Sequence, residues 1–412
     1  MAKKTSKATA GKTGKKTGKK AGQAAGKKVS RAGGRGGGVG VLDGDGGAIP
    51  EMPPPPAPVP LGSIVGQDRA LEALRSSLRS GRAHHGWIFH GPPGVGKFTA
   101  AVAFAAVLLD PTAEPDLRGE VEPDPESTVQ GLLRAGAHPD LHIVRKELAL
   151  FSEDRNVRAS KHITIAKDVI DSFLVRPSRL AAAMGGGIAS KVFIVDEAEL
   201  LDRSPTNAPT QNALLKTLEE PPEGTVIVLV TSNEDRLLPT IRSRCQRVAF
   251  GPVPEAELRR WAASRGIETS GALWDRLVLL ASGSPGRLLD ALETGVEAWW
   301  AELEPMLDAS ASGRHDAQLG QRMAALVDGW AKAQVERFPH ASKESMNRGG
   351  ASRMLHLVAE HARRGLRGDG DPVVWLRQID AVAEAERRIA TNLQMALVFE
   401  ALAAELAAAG RD

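Results

Sequence analysis

From Leu61 onward, short apolar runs alternate with amphipathic stretches, and this alternation predicts strands separated by helices. The runs typical of buried strands are 87–89, 191–195, 225–230 and 247–250. Between them, residues 97–109 and 210–220 have helical character, and two prolines end the second stretch. Strands that are apolar throughout and separated by helices indicate a parallel sheet covered on both faces. We therefore predict an α/β domain over residues 61–252.

Beyond Pro254 the pattern favours helices alone. Three short helices are predicted at 255–265, 272–281 and 285–297. Apolar side chains then recur at helical spacing, and residues 373–408 are strongly helical. The sequence thus predicts a small helical domain at 253–300 and an all-helical C-terminal domain at 301–412.

Residues 1–60 have a different composition, with a Lys/Gly/Ala/Thr stretch, a glycine-rich stretch and a proline-rich spacer. They hold too few apolar side chains to offset the entropy of ordering, so we predict that they are disordered. Residues 1–35 carry twelve Lys and Arg and no acid; taking these from the net charge of +3 leaves −9 for residues 36–412. Such a tail either contacts DNA through counter-ion release or serves as a solubilising extension, and the sequence leaves both open.

Composition also excludes several classes of protein. A single cysteine, Cys245, rules out an intramolecular disulfide and any site with two cysteine ligands, which favours a reducing compartment. The longest apolar run, residues 100–109, is too short to span a bilayer. The basic N-terminal stretch precedes no apolar segment of the kind found in secretory signals. We expect a cytoplasmic protein without a membrane partner.

A glycine-rich segment lies between the first predicted strand and the helix that follows, as in a phosphate-binding loop. In such a loop, backbone N–H groups surround the phosphates and a lysine, here Lys97, reaches their oxygens. The position that normally supplies a Mg²⁺-binding hydroxyl is Phe98, and Thr99 points about 100° away from it. The candidate nucleotide-binding residues are Gly91, Pro92, Pro93, Gly94, Val95, Gly96, Lys97, Phe98 and Thr99.

Two acids, Asp196 and Glu197, follow the apolar strand 191–195. In a P-loop NTPase an Asp at this point holds Mg²⁺ and a Glu polarises the attacking water. Asp196 is therefore the candidate metal ligand and Glu197 the candidate catalytic base. The alternative is a solvated acidic strand end.

Motifs further along the chain carry a family resemblance. Residues 211–222 (QNALLKTLEEPP), 231–233 (TSN) and 238–245 (LPTIRSRC) closely resemble AAA+ subunits of bacterial replicative clamp loaders. The segments 64–67, 138–140 and 283–287 fit the same family, and Asn392-Leu393 with Glu400 resembles the closing helix of its collar domain. The resemblance covers about 61–410. It implies an AAA+ P-loop domain, a helical lid and a helical collar that joins a hetero-oligomeric ring.

The resemblance also implies roles for single residues and for partners. Ile64 and Val65 would line an adenine pocket, Ser232 would sense the γ-phosphate, and Arg287 would be the sensor arginine of the lid. Arg244 would be an arginine finger inserted into a neighbouring subunit's ATP site, with an internal salt bridge as its alternative. ATP with Mg²⁺ would be the cofactor, and the other loader subunits, the sliding clamp and primed DNA would be partners.

The chain departs from the family pattern in several places. It cannot form the four-cysteine zinc module found in many members, and residues 110–126 form an acidic insertion instead. His138 and His142 lack an evident third metal ligand, so we expect no zinc. A Tyr-Arg-Pro element of the motor subunits is missing, and Phe98 damages the phosphate loop. These features favour the delta-prime class, with an ATP-hydrolysing gamma/tau-like motor subunit or a stand-alone DNA-remodelling ATPase as alternatives.

Overall fold

A five-stranded sheet organises the first part of the chain. The computed structural model describes residues 56–116, 119–158, 164–201, 208–337, 343–368, 371–391 and 394–411. Its strands are β1 Gly86–His90, β2 Glu114–Pro115, β3 Val121–Glu122, β4 Leu141–Val144, β5 Lys191–Val195, β6 Thr225–Thr231 and β7 Gln246–Ala249. The main sheet has the order β4-β5-β6-β1-β7 with every pairing parallel, whereas β2 and β3 form a small antiparallel pair within the acidic insertion.

Helices flank the sheet and follow it along the chain. They are α1 Asp68–Arg79, α2 Lys97–Leu109, α3 Thr128–Arg134, α4 Arg155–Arg158, α5 Lys167–Ile170, α6 Arg176–Ser178, α7 Pro209–Glu219, α8 Pro239–Arg242, α9 Glu255–Ser264, α10 Gly271–Ala281, α11 Pro285–Thr294, α12 Glu297–Ala311, α13 Leu319–Arg337, α14 Lys343–Leu366, α15 Pro372–Ala390 and α16 Met395–Ala409. A π-helical turn, Asp171–Val175, joins α5 to α6.

Alternate side chains of β1 fill two different cores, as expected for a sheet covered on both faces. Trp87 and Phe89 pack with Phe104 of α2 on one face, and Ile88 packs with Phe193 and Leu214 on the other. Helix α2 is buried around nearly its whole circumference, which matches its almost wholly apolar sequence. The predicted parallel α/β fold with helices following it is confirmed.

The predicted elements agree with the observed ones to within a few residues, but several observed elements were not predicted, among them α1, α3 and the pair β2 and β3. Strand β4 was not predicted either, and it is the strand that forms one edge of the sheet. The predicted helix 285–297 ends at Thr294, because Gly295 adopts a left-handed conformation and a new helix begins at Glu297.

The domain boundaries near residues 252 and 300 stay predictions, since Pro50–Asp412 form one compact unit that is not divided at either position. The predicted disorder of the tail and its contact with DNA fall largely on residues 1–55, and the Asn392-Leu393 motif also falls outside the described residues. None of the described helices is long and apolar enough to cross a membrane.

Candidate nucleotide site

The glycine-rich segment forms a tight turn between β1 and α2. Gly94 and Gly96 have φ values of 76° and 103°, a region that favours glycine. Gly96 is the N-cap of α2, so the loop delivers the chain to a helix N-terminus, where backbone N–H groups are free to face an anion. Gly91 is required for space, because a Cβ there would lie 2.0 Å from the carbonyl oxygen of Phe250.

Lys97 is buried and turned toward its own loop. Its Nζ donates to the carbonyl oxygens of Gly91 at 2.7 Å and Pro92 at 2.5 Å. Burial lowers the pKa of Lys97 to about 8, although Glu199 and Asp196 oppose this shift. The ammonium of Lys97 is thus held by two backbone carbonyl oxygens, and a bound phosphate would have to take their place.

Most of the predicted nucleotide-binding residues line one cavity of about 460 Å³. Its walls include the predicted residues Ile64, Val65, Pro93, Gly94, Val95, Gly96, Lys97, Phe98, Thr99, Asp196, Glu197 and Ser232. Gly91, Pro92, Arg287 and Arg244 are outside this lining. The geometry therefore brings the loop, the acidic strand end and the Ile64–Val65 segment together around a space of nucleotide size.

Arg145, at the end of β4, lies between Phe98 and Asp196. Its guanidinium carbon is 4.5 Å from the centre of the Phe98 ring, and its Nε is 3.4 Å from Oδ2 of Asp196. Burial raises the pKa of the Asp196 carboxyl, and the charge of Arg145 opposes that rise. A cation–π contact and an ion pair therefore share one guanidinium.

Glu197, the acid next to Asp196, is also paired with a positively charged side chain. Glu197 Oε2 accepts from Nζ of Lys146 at 2.6 Å. The backbone of Glu197 is left-handed, with φ of 50°, a strained conformation for a residue that carries a Cβ. The two basic residues that follow β4 thus face the two acidic residues that follow β5.

These residues do not fit a Mg²⁺ ion of the kind that a P-loop NTPase binds. Mg²⁺ requires oxygen ligands in near-octahedral geometry, and Phe98 supplies none. The candidate metal ligand, Asp196, already faces the guanidinium of Arg145. Among the described residues, no three His, Cys, Asp or Glu side chains cluster in a way that could hold a metal ion.

Ser232, the predicted sensor, lies directly after β6. Its backbone N–H donates to Oε2 of Glu199 at 3.2 Å, and both residues line the cavity. Its proposed contact with a γ-phosphate stays a prediction.

The predicted lid is docked on the phosphate loop. Gly286 N–H donates to the carbonyl of Gly94 at 2.9 Å, and the Ser284 hydroxyl donates to that of Pro93 at 3.0 Å. A Cβ on Gly94 would lie 2.4 Å from the Ser284 oxygen, so the contact needs glycine. The motif 283–287 therefore joins α11 to the loop through hydrogen bonds to two backbone carbonyls of the loop.

Arg287 points toward the C-terminal helices instead of the 460 Å³ cavity. Its Nη1 is 3.3 Å from Nε2 of His356 on α14, and the two line a separate cavity of about 230 Å³. His356 Nε2 is 2.7 Å from the carbonyl of Leu280, so we assign it as the donor to that oxygen and regard the arginine as a close neighbour. Its role as a phosphate sensor stays a prediction.

Arg244 lies after α8 at the surface. Its Nη2 is 2.8 Å from Oε1 of Glu219, and its Nη1 donates to the carbonyl of Thr240 at 3.0 Å. The side chain is 37% exposed, and an exposed pair of this kind contributes at most about 1 kcal/mol. The internal salt bridge is thus present, and it is weak enough to be exchanged for another anion.

Structural contacts account for three further residues, Cys245, His138 and His142. Cys245 packs against the core beneath the sheet, and burial raises its pKa to about 12. His138 Nδ1 accepts from the backbone N–H of Asp140, and His142 stacks on Phe193.

Sequence reasoning missed several residues at the site. Arg145, Lys146 and Glu199 contact predicted site residues, and Trp261 and Arg265 of the lid line the cavity. Recognising β4 would have found the first two, because residues after parallel strands meet at one edge of the sheet.

Comparisons with known proteins agree with the sequence motifs. Residues 66–254 match the family described as DNA polymerase III, delta subunit. The chain is 34% identical to DNA polymerase III subunit delta' of Pseudomonas aeruginosa, over 52% of this chain and 58% of that protein. It is 29% identical to subunit tau of Escherichia coli, over 79% of this chain and 44% of that protein. It is also 26% identical to the replication factor C small subunit of Methanoregula boonei, over 86% of this chain and 95% of that protein.

The similarity to the delta' subunit covers only part of that relative's length. The alignment with the Pseudomonas aeruginosa delta' subunit spans 58% of that relative. The parallel sheet, the glycine-rich turn and the docked helical segment have the order that the family motifs predict. The chain is therefore similar to AAA+ clamp-loader subunits such as delta prime of DNA polymerase III.

Proposed function

We propose that the chain is a delta-prime-like subunit of a bacterial replicative clamp loader. It would help to load the sliding clamp on primed DNA and would donate Arg244 to the ATP site of a neighbouring subunit. The observation that supports this role most directly is the contrast between two sites. Arg244 is partly exposed and lies outside the 460 Å³ cavity, whereas Phe98 lines that cavity and Arg145 contacts Phe98 and Asp196, where a motor subunit needs magnesium.

The chemistry of Arg244 suits this role. A guanidinium is charged at every physiological pH, and its planar fork matches two phosphate oxygens. Delivered from a neighbouring subunit, it can neutralise charge that develops on the γ-phosphoryl group only when the subunits are correctly packed. Glu219 would hold the Arg244 side chain extended until the guanidinium enters the ATP site of the neighbouring subunit.

The chain's own phosphate loop would at most bind a nucleotide. Lys97 and the backbone of 94–96 would hold its phosphates, and Ile64 with Val65 would contact its base. Since the acids are paired with Arg145 and Lys146, we expect negligible hydrolysis by the isolated chain.

The second candidate is an ATP-hydrolysing gamma/tau-like motor subunit, which the likeness to Escherichia coli tau favours. The two roles differ in a simple assay. Robust Mg²⁺-dependent turnover by the isolated chain, lost in Lys97→Ala, would establish the motor role. Turnover at background in both forms would favour the delta-prime role.

The decisive experiment replaces Arg244 in a loader reconstituted with motor subunits, clamp and primed DNA. Arg244→Ala should leave the complex assembled and lower its ATPase rate. Loss of an arginine finger costs about 10³-fold or more at the site it serves, and the whole-complex effect should be smaller because other sites keep their fingers. Arg244→Lys should restore little, since an ammonium cannot make the bidentate contact.

Arg242→Ala is the matched control. Arg242 lies two residues earlier, where it pairs with Asp235 at 2.6 Å, so its loss removes an equal charge from the same surface. Its complex should hydrolyse ATP at the wild-type rate. Wild-type turnover by an assembled Arg244→Ala complex would show that Arg244 has only a structural role.

A further inference from the structure

The position of a divalent cation in a P-loop site is defined by the residue after the lysine and by the acid that ends the neighbouring strand. In this chain these residues are Phe98 and Asp196, and Arg145 contacts both. The guanidinium carbon lies 4.5 Å from the Phe98 ring centre, and Nε lies 3.4 Å from the Asp196 carboxylate. A fixed positive charge therefore stands between the two groups that would otherwise flank a metal ion.

The surroundings explain why an arginine is suited to this place. The side chains of Arg145 and Asp196 are 25% and 24% exposed, so a carboxylate there requires a counter-charge. The buried Nε has no aligned hydrogen-bond acceptor among the described residues, so the pair is held by charge and stacking. Phe98 offers a π face, which attracts a guanidinium and supplies no oxygen to Mg²⁺.

The adjacent pair has the same arrangement. Lys146 follows Arg145 in the chain and holds Glu197, the candidate base, through Nζ–Oε2 contact at 2.6 Å. One basic dipeptide at the end of β4 thus neutralises both acids at the end of β5. Since the strands are paired in register, Val144 beside Val195, this match is fixed by the sheet itself.

We propose that Arg145 is a built-in cation that takes the place of Mg²⁺ at this phosphate loop, so that the chain binds no divalent cation there. The proposal rests on the proposed function in one respect: it gives a physical reason why a delta-prime-like subunit would not hydrolyse ATP at its own phosphate loop. Phe98 and Arg145 act as a pair, the ring removing the metal ligand and the guanidinium removing the need for the metal.

Mn²⁺, counted by electron paramagnetic resonance, is a suitable probe for the isolated full-length chain with and without ADP. The wild-type chain should take up no Mn²⁺ at this site in either condition. The double variant Phe98→Ser/Arg145→Ala restores a hydroxyl and frees Asp196, so it should bind one Mn²⁺ at least tenfold more tightly than wild type when ADP is present. Adding Asp196→Asn to the double variant should abolish this gain.

Two further variants separate occupancy of the site from a general loss of charge. Lys146→Ala removes one positive charge next to Arg145 without touching Phe98 or Asp196, and it should gain no Mn²⁺ binding. Phe98→Ser alone should also gain none, because Arg145 stays in place; this milder change keeps the test available if the double variant does not fold.

One stoichiometric Mn²⁺ on the wild-type chain, lost in Asp196→Asn, would overturn the proposal. So would Mn²⁺ binding by Phe98→Ser alone, or a folded double variant that gains none. These titrations use the chain alone, whereas the Arg244 experiment uses the assembled loader. Failure of one is therefore distinguishable from failure of the other.

Discussion

Two glutamines within the family motifs act as structural clamps. Gln67 joins the start of α1 to Gly251, donating to its carbonyl and accepting from its N–H. Gln211 of α7 donates to the carbonyls of Leu201 and Arg236 and accepts from the N–H of Leu238. Residues of a functional motif can therefore serve the fold without touching the cavity.

Gln211→Leu should destabilise the protein by about 3 kcal/mol, because it leaves three backbone groups without their partner in a buried place. Urea unfolding followed by circular dichroism measures this loss. Gln246→Leu, at an exposed position of β7, is the matched control and should change the free energy of unfolding by less than about 0.5 kcal/mol. Equal effects of the two substitutions would contradict the clamp.

At the scale of elements, the C-terminal helices pack closely where a glycine of one helix faces the backbone of another. A Cβ on Gly320 of α13 would lie 2.6 Å from Cα of Glu400 and 2.8 Å from the carbonyl oxygen of Phe399. Helix α16 would have to move to admit it. By contrast, a Cβ on Gly329 of the same helix meets nothing within 4 Å.

Gly320→Ala should therefore destabilise the protein by about 1–3 kcal/mol through overpacking. Gly329→Ala should stabilise it by about 0.5–1 kcal/mol, since alanine costs less conformational entropy in a helix. Thermal unfolding of both variants beside the wild type tests the opposite signs. A stabilising Gly320→Ala would mean that α13 and α16 separate easily.

For the whole molecule, histidines that are wholly or partly buried predict acid sensitivity. Burial lowers the pKa of His85, His90, His138, His142 and His356 below the ordinary value of 6.5. The unfolded chain then binds more protons than the folded chain just below pH 6.5. The stability present above that pH is lost as the pH falls through the lowered values.

The free energy of unfolding should thus be smaller at pH 5 than at pH 7. His142→Phe keeps the ring stacked on Phe193 and removes one titrating group, so it should flatten the pH dependence. Stability that is equal at the two pH values would contradict the prediction.

The charge of the tail gives a second prediction at this scale. If residues 1–35 bind DNA, their deletion should weaken duplex binding and flatten its dependence on salt, since each neutralised phosphate adds about −0.9 to the log–log slope. The measurement is a salt titration of duplex affinity for both chain lengths. Equal slopes would leave the tail as a spacer.

The sequence by itself determined the elements with strong local signals. Strands β1, β5 and β6 are apolar and buried, and α2 begins directly after a glycine-rich turn. The apolar runs and the glycines were therefore enough to predict these elements. Strand β4 escaped because it is short and lies at the sheet edge, where its side chains are half-buried and the apolar pattern is weaker.

Only the tertiary structure decided which charges meet. Arg145 is 47 residues from Phe98 and 51 from Asp196 in the numbering, and no local pattern indicates that one guanidinium contacts both. Arg287 likewise lies beside His356, which belongs to a helix much further along the chain. Local sequence sets where a strand ends, but the pairing of strands sets which residues share that edge, and the chemistry of this site depends on the pairing.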